Sequence, residues 1–193
     1  MSTHTFTAIL NRPPTDDEQD ALFEAGLDDS AVEVGNGTGL LHVDREAATL
    51  DDAILSVVRD VERAGFEVTG LKQDDLVPLK TIAERCGRSY ESLRLLAAGK
   101  RGPGGFPAPL SGEGWSLYSW AAVSTWLGDN VGFPRDVEEY SRTIAAADLM
   151  ARARLLIAGR PSAWRLPEIF GIGSTRAFVS DDLTEQGPES QVS

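Results

Sequence analysis

The sequence predicts an α+β protein, and three observations carry that prediction. Residues 1–75 alternate strand-forming and helix-forming stretches in the order β-α-β-β-α-β. Residues 79–127 read as two short helices, a glycine-rich hairpin and a closing helix. From Pro134 to Gly159 apolar residues recur three and four apart, the period of a long helix.

Thr5 to Leu10 alternates β-formers and is expected to be a strand. Thr15-Asp16-Asp17-Glu18 has capping-box spacing, in which Glu18 reaches back to the chain at Thr15. It opens a helix through Ala25, with Ala21 and Leu22 facing inward and Gly26 stopping it. Ala31–Val34 and Leu40–Val43 are short strands joined through Gly35-Asn36-Gly37-Thr38-Gly39, a hairpin signal. Thr49, with Asp52 three residues on, caps a second helix whose stripe is Ile54, Val57, Val58 and Val61. Gly65 ends it, and Phe66-Glu67-Val68 begins a fourth strand. This order is the ferredoxin-like split arrangement, and it sets a first domain at residues 1–75.

Little in that domain points to catalysis. The Gly35/Gly37/Gly39 run lies between two strands and lacks a following lysine, so it reads as a hairpin rather than a phosphate cradle. The acidic clusters Asp16/Asp17/Glu18/Asp20 and Asp51/Asp52 fall in the first turns of helices, where the macrodipole favours negative charge. His4 and His42 have no His or Cys partner at metal spacing. With no Ser/His/Asp grouping, metal motif or nucleotide loop in the sequence, the expectation is a non-enzyme without cofactor or metal.

The middle segment carries the most specific signal. Ile82 and Ala83 share an apolar face, Gly87 follows Ala83 by four, and Leu93 and Leu96 repeat three apart after a turn at Ser89. That spacing suits two helices crossing steeply, with Ala83 permitting close approach and Gly87 turning the corner. Tyr90, Glu91 and Arg94 are left pointing outward, the groups a helix-turn-helix offers to base edges. Gly99 to Gly105 brings Lys100 and Arg101 beside a nearly bare backbone that can approach phosphates closely. Phe106 and Pro107 anchor a hairpin, Ser111-Gly112-Glu113-Gly114 is its tip, and Trp115 to Tyr118 is its return strand. Ser119 caps the final helix, in which Val123, Trp126 and Leu127 pack back on the first two. Trp120 and Trp126 fall at helical spacing and read as core, whereas Trp115, by the tip, can reach the sugar-phosphate backbone. Cys86 reads as a small apolar group between the helices.

These residues, LKTIAERCGRSYESLRLLAAGKRGPGGFPAPLSGEGWSLYSWAAVSTWL, resemble the winged helix-turn-helix domains of MerR-like and excisionase-like regulators of actinobacteria. The resemblance spans Thr81 to Leu127, about a quarter of the chain. It implies a domain at 76–130 that binds double-stranded DNA, its second helix in the major groove and its glycine-rich wing on the backbone. In that division Tyr90 and Arg94 read bases, while Lys80, Arg88, Lys100 and Arg101 hold phosphates. Thr81, Ser89, Glu91, Gly102, Gly104 and Trp115 complete the expected contact set. One departure matters: Arg88 fills a slot that is usually aliphatic. It either points outward to a phosphate or marks a looser turn.

Charge supports a local contact rather than a coat. The chain of 193 residues has a formal net charge of −12, which argues against non-specific nucleic-acid binding over its whole surface. Residues 1–75 hold 5 basic and 17 acidic side chains, and residues 128–193 hold 7 and 10. Residues 76–127 hold 6 and 3, which makes them the one basic segment. A single cysteine rules out an intramolecular disulfide. The start shows no signal-peptide pattern, and no apolar run approaches the ~20 residues of a membrane span, so a cytoplasmic protein is expected.

Pro134 and Asp136 open the long helix, with Val137, Tyr140, Ile144, Ala147, Ala151 and Leu155 as its stripe and Gly159 closing it. Residues 131–175 are thus a helical segment that either folds on its own chain or pairs with a second copy. A homodimer is attractive because one short recognition helix reads few base pairs. Pro161 to Pro167 breaks regularity, and residues 176–193 are polar enough to be expected disordered. The leading function is a sequence-specific transcriptional regulator. The alternative is an antitoxin-like or other interaction module whose acidic N-terminal domain binds a partner protein.

Overall fold

A computed structural model describes residues 1–35, 37–72, 75–111 and 116–170, apart from the side chain of Trp164. The chain is mixed α+β, and its compact units are Met1–Leu156 and Ile157–Ser193. The first unit begins with β1 (Ser2–Leu10), α1 (Asp16–Leu22), β2 (Ser30–Gly35), β3 (Thr38–Ala47), α2 (Leu50–Arg63) and β4 (Val68–Leu71). The four strands make one antiparallel sheet in the order β2-β3-β1-β4.

Period-two alternation decides which face is buried. Phe6 pairs with Val43 and Ala8 with Leu41, and these side chains join Leu22, Ala53, Val57, Val61 and Phe66 in one cluster. Burying an aliphatic or aromatic side chain of this size contributes about 1.5–3 kcal/mol. On the other face Thr5 donates to Asp44 at 2.7 Å, and His42 bridges Thr7 (3.0 Å) and Glu33 (2.8 Å). His42 is therefore engaged across the strands.

The caps follow the sequence closely. Glu18 accepts from the Thr15 N–H at 2.9 Å, and the Thr49 hydroxyl accepts from the Asp52 N–H at 3.1 Å. α1 ends at Leu22 and continues as a wider turn, Phe23–Leu27, in which Gly26 takes φ +100°. The fourth strand starts at Val68 rather than Phe66, because the Phe66 N–H closes α2 onto the Val61 carbonyl at 3.1 Å. The β2–β3 turn pairs Gly35 with Thr38; Asn36 lies outside the described residues.

One polar node was not legible beforehand. Arg45, 13% exposed, donates from Nε to Asp29 at 2.5 Å and from Nη1 to Asp60 (2.9 Å) and Ser56 (3.2 Å). Its Nη2 donates to Asp29 at 2.9 Å and to the Gly26 carbonyl at 2.8 Å. All five guanidinium N–H groups are thereby used. Arg63 adds a second cation on Asp60.

β5 (Leu76–Pro78), α3 (Leu79–Arg85), α4 (Tyr90–Ala97), β6 (Leu117–Ser119) and α5 (Trp120–Val131) surround a second cluster. Val77, Ile82, Ala83, Leu93, Leu96, Tyr118, Val123 and Leu127 are buried in it, with Trp120 and Trp126, in line with their helical spacing. The return strand expected at 115–118 is found as Leu117–Ser119, and its partner differs. β6 pairs with β5, Val77 opposite Tyr118, and the Leu110 N–H donates to the Leu117 carbonyl at 2.8 Å. Pro107 and Pro109 lie in the stretch that would have to donate ladder bonds, which disfavours a strand there. The tip, 112–114, and Trp115 lie outside the described residues.

α6 (Arg135–Ile157) spans 23 residues and folds on its own chain. Ile144 and Ala147 join the first cluster, and the Tyr140 hydroxyl donates to the Thr5 carbonyl at 2.7 Å. Val137, Tyr140 and Leu155 of the expected stripe are more than a third exposed. Two acids take the buried positions instead. Asp148 accepts from the N–H of Leu71 on the sheet edge at 3.0 Å and from Arg152 at 2.9 Å, and Glu138 is held by Arg135 and Arg142. A period count cannot see a buried carboxylate that caps an edge strand. In the second unit a 3-10 turn, Pro161–Arg165, leads into α7 (Leu166–Ile169); residues 171–193, including the expected tail, lie outside the described residues. Among the described residues no helix is long and apolar enough to cross a membrane.

Candidate nucleic-acid interface

The geometry of this region starts from two helix ends. α3 stops where Gly87, at φ +61°, lets the Arg88 N–H reach the Ala83 carbonyl at 2.9 Å. α4 stops the same way, with Gly99 at φ +65° and the Lys100 N–H on the Leu95 carbonyl at 2.9 Å. Both are Schellman closures, which need the left-handed conformation that glycine adopts without strain. The first turn is thus tight despite Arg88, whose side chain is exposed. Between them Ser89 caps α4 by accepting from the Ser92 N–H at 3.2 Å.

This framing sets the side chains of α4. Leu93 and Leu96 point into the second cluster, so Tyr90, Glu91 and Arg94 point away from it. Tyr90 is 52% exposed. Arg94 donates to both carboxylate oxygens of Glu91, from Nε at 2.8 Å and from Nη2 at 2.6 Å. Those hydrogen bonds, with the charges of Arg94 and Lys100, hold the Glu91 carboxyl below its usual range.

Tyr90, Arg94 and Lys80 line one groove of about 510 Å³, floored by Leu79, Ala97 and Tyr118. Thr81 is half-buried beside Ile82. Lys100 and Arg101 are exposed immediately beyond α4. The loop that follows is anchored rather than loose. Trp126 donates its indole N–H to the Gly104 carbonyl at 3.0 Å, and Phe106 meets the Trp126 and Tyr118 rings edge-on at 5.1 and 5.9 Å. A Cβ at Gly102 would lie 2.7 Å from Leu96 Cδ2, so the bare backbone there permits close approach to α4.

Lys80, Tyr90 and Arg94 are therefore brought together, and Arg88 and Ser89 stand at the turn. Trp115 lies outside the described residues. Arg85 lies over the Trp120 ring at 5.2 Å. Burial pushes the Cys86 thiol up, against the opposing charges of Arg88 and Arg85, which suits its place beside the apolar cluster.

Sequence reading missed Asp75. Its carboxylate accepts from the Ala121 N–H at 2.7 Å, and its carbonyl accepts from Trp120 N–H at 2.7 Å, so it fixes the start of α5 together with Ser119. No sequence signal could have found it, since a cap supplied from 46 residues away leaves no local pattern. No protein-family model matches this chain, nor does any curated protein or solved structure.

Proposed function

We propose that this protein is a sequence-specific regulator that binds double-stranded DNA through a winged helix-turn-helix. In this reading α3 and α4 are the helix-turn-helix, α4 enters the major groove, and the loop 99–105 with β6 is the wing on the backbone. The observation that carries it is the exposed face formed by Lys80, Tyr90 and Arg94 with Lys100 and Arg101 beside it, in the one basic segment of an acidic chain. The anchored loop supports it further, because a backbone that must meet phosphates benefits from being fixed in advance. The resemblance of residues 81–127 to MerR-like and excisionase-like domains points the same way.

The β2-β3-β1-β4 order of the sheet supports a ferredoxin-like N-terminal module. Under this reading its excess of acid repels the duplex and confines contact to the wedge between its acidic neighbours. A homodimer would double the site read.

A mobility-shift titration of the full chain against duplexes enriched from a random pool tests the reading. The expected result is a retarded complex that weakens with salt, and no enrichment would end it. A second reading, a partner protein on the acidic module, has one observation in its favour: β2 is an edge strand with Val34 54% exposed. It requires a partner whose capture by the full chain is lost in Val34→Lys.

A further inference from the structure

A carboxylate on a face assigned to a polyanion needs a reason, and Glu91 is such a group. We infer that Glu91 is a positioning residue that holds Arg94 as a reader of guanine; the inference rests on the DNA reading above.

The pair leaves one edge of the guanidinium plane exposed. A guanidinium has five N–H groups in one plane. Glu91 takes Nε and one hydrogen of Nη2, the side edge of that plane, at 2.8 and 2.6 Å. Both hydrogens of Nη1 and the second of Nη2 have no hydrogen-bond partner among the described residues. The end edge of the fork therefore presents two parallel N–H groups, directed away from the Cδ end of the side chain. Guanine offers two acceptors side by side in the major groove, O6 and N7, which match such a fork. Adenine offers N7 beside an amino donor, which meets a donor with a donor. Fixing the side edge thus selects guanine over adenine.

The placement fits that role. Glu91 lies in the first turn of α4, just past its Ser89 cap, where the residues of a recognition helix reach base edges, and Arg94 stands one turn further along the same exposed face. Ordering a long side chain before binding also lowers the rotamer freedom lost on complex formation. The carboxylate has an opposite effect on phosphates, which it repels. Glu91 should therefore raise discrimination while lowering affinity for unrelated DNA, and a pair that merely decorated the surface would not move these two quantities apart.

The test uses the full chain and the duplex enriched from a random pool, with single guanines replaced by adenine or by 7-deazaguanine, which lacks the N7 acceptor. For the unsubstituted protein at least one guanine should cost about tenfold or more in affinity when replaced. Glu91→Gln should reduce that penalty to less than about threefold and tighten binding to an unrelated duplex. Arg94→Lys, which keeps the charge and loses the fork, should abolish the penalty and leave unrelated binding in place. Coincident thermal melts of both variants and the unsubstituted chain verify folding. A guanine penalty that survives Glu91→Gln overturns the positioning role and leaves the DNA reading standing. Failure of the unsubstituted chain to enrich any duplex overturns the DNA reading and this inference with it.

Discussion

Arg45 in the sheet region and Arg94 on α4 are the same side chain in opposite settings. Arg45 is 13% exposed and spends every N–H on Asp29, Asp60, Ser56 and the Gly26 carbonyl. The Arg94 side chain is 47% exposed and spends two, both on a neighbour one turn away. A guanidinium with nothing left to donate can only hold a fold together, whereas one with a free edge can recognise something outside it. The difference lies in what surrounds each arginine, and it separates the acidic, strand-built region from the basic, helix-built one.

Removing the Arg45 guanidinium should act on stability and leave binding alone. Arg45→Ala strips Asp29 of the guanidinium it pairs with and leaves Asp60 to Arg63, and should cost about 3 kcal/mol, read by urea denaturation. Its affinity for the enriched duplex, corrected for the folded fraction, should stay unchanged. Asp148→Ala removes the acceptor for the Leu71 N–H and should cost about 1–3 kcal/mol by the same measurement. Gly102→Ala asks a side chain to adopt φ +81° against Leu96 and should cost about 1 kcal/mol.

From the recognition side the effects fall on binding instead. Lys100→Ala should lower the slope of log K against log salt by about one and leave sequence preference intact. An exposed ion pair should matter least. The Arg12 hydrogen bonds hold the Glu18 carboxyl down to about 2, helped by the Thr15 N–H. A pKa lowered on folding stabilises the protein above the unfolded value and is lost as pH falls from there through about 2. Titration of Glu18 by NMR should show that midpoint, and Arg12→Ala should return it toward the ordinary carboxylate range.

How much of this was legible depended on whether the signal was local. Helix ends were readable because glycine at the corner and serine or threonine at the start act within four residues, as at Gly65, Gly87, Ser89 and Ser119. The sheet was readable because Phe6 and Val43 stand between polar neighbours, Thr5 and Thr7 on one strand and His42 and Asp44 on the other, in runs of β-formers. The outward set on α4 followed from the positions of Leu93 and Leu96. What escaped were long-range polar contacts: Arg45 with Asp60, Asp75 with the start of α5, and Asp148 with the sheet edge. Each joins residues 15 to 77 positions apart, and no spacing rule links them. The partner of β6 escaped for the same reason, since an adjacent hairpin and a distant β5 leave identical marks on the return strand.

The exposed edge of Arg94 is proposed to meet DNA. Fluorescence anisotropy of the enriched duplex, titrated with the unsubstituted chain and with Arg94→Ala, measures it most directly. The expected result is binding weaker by about tenfold or more with a melting temperature shifted by no more than about 2 °C, since an exposed pair adds little to stability. Equal affinity for the two proteins would contradict it.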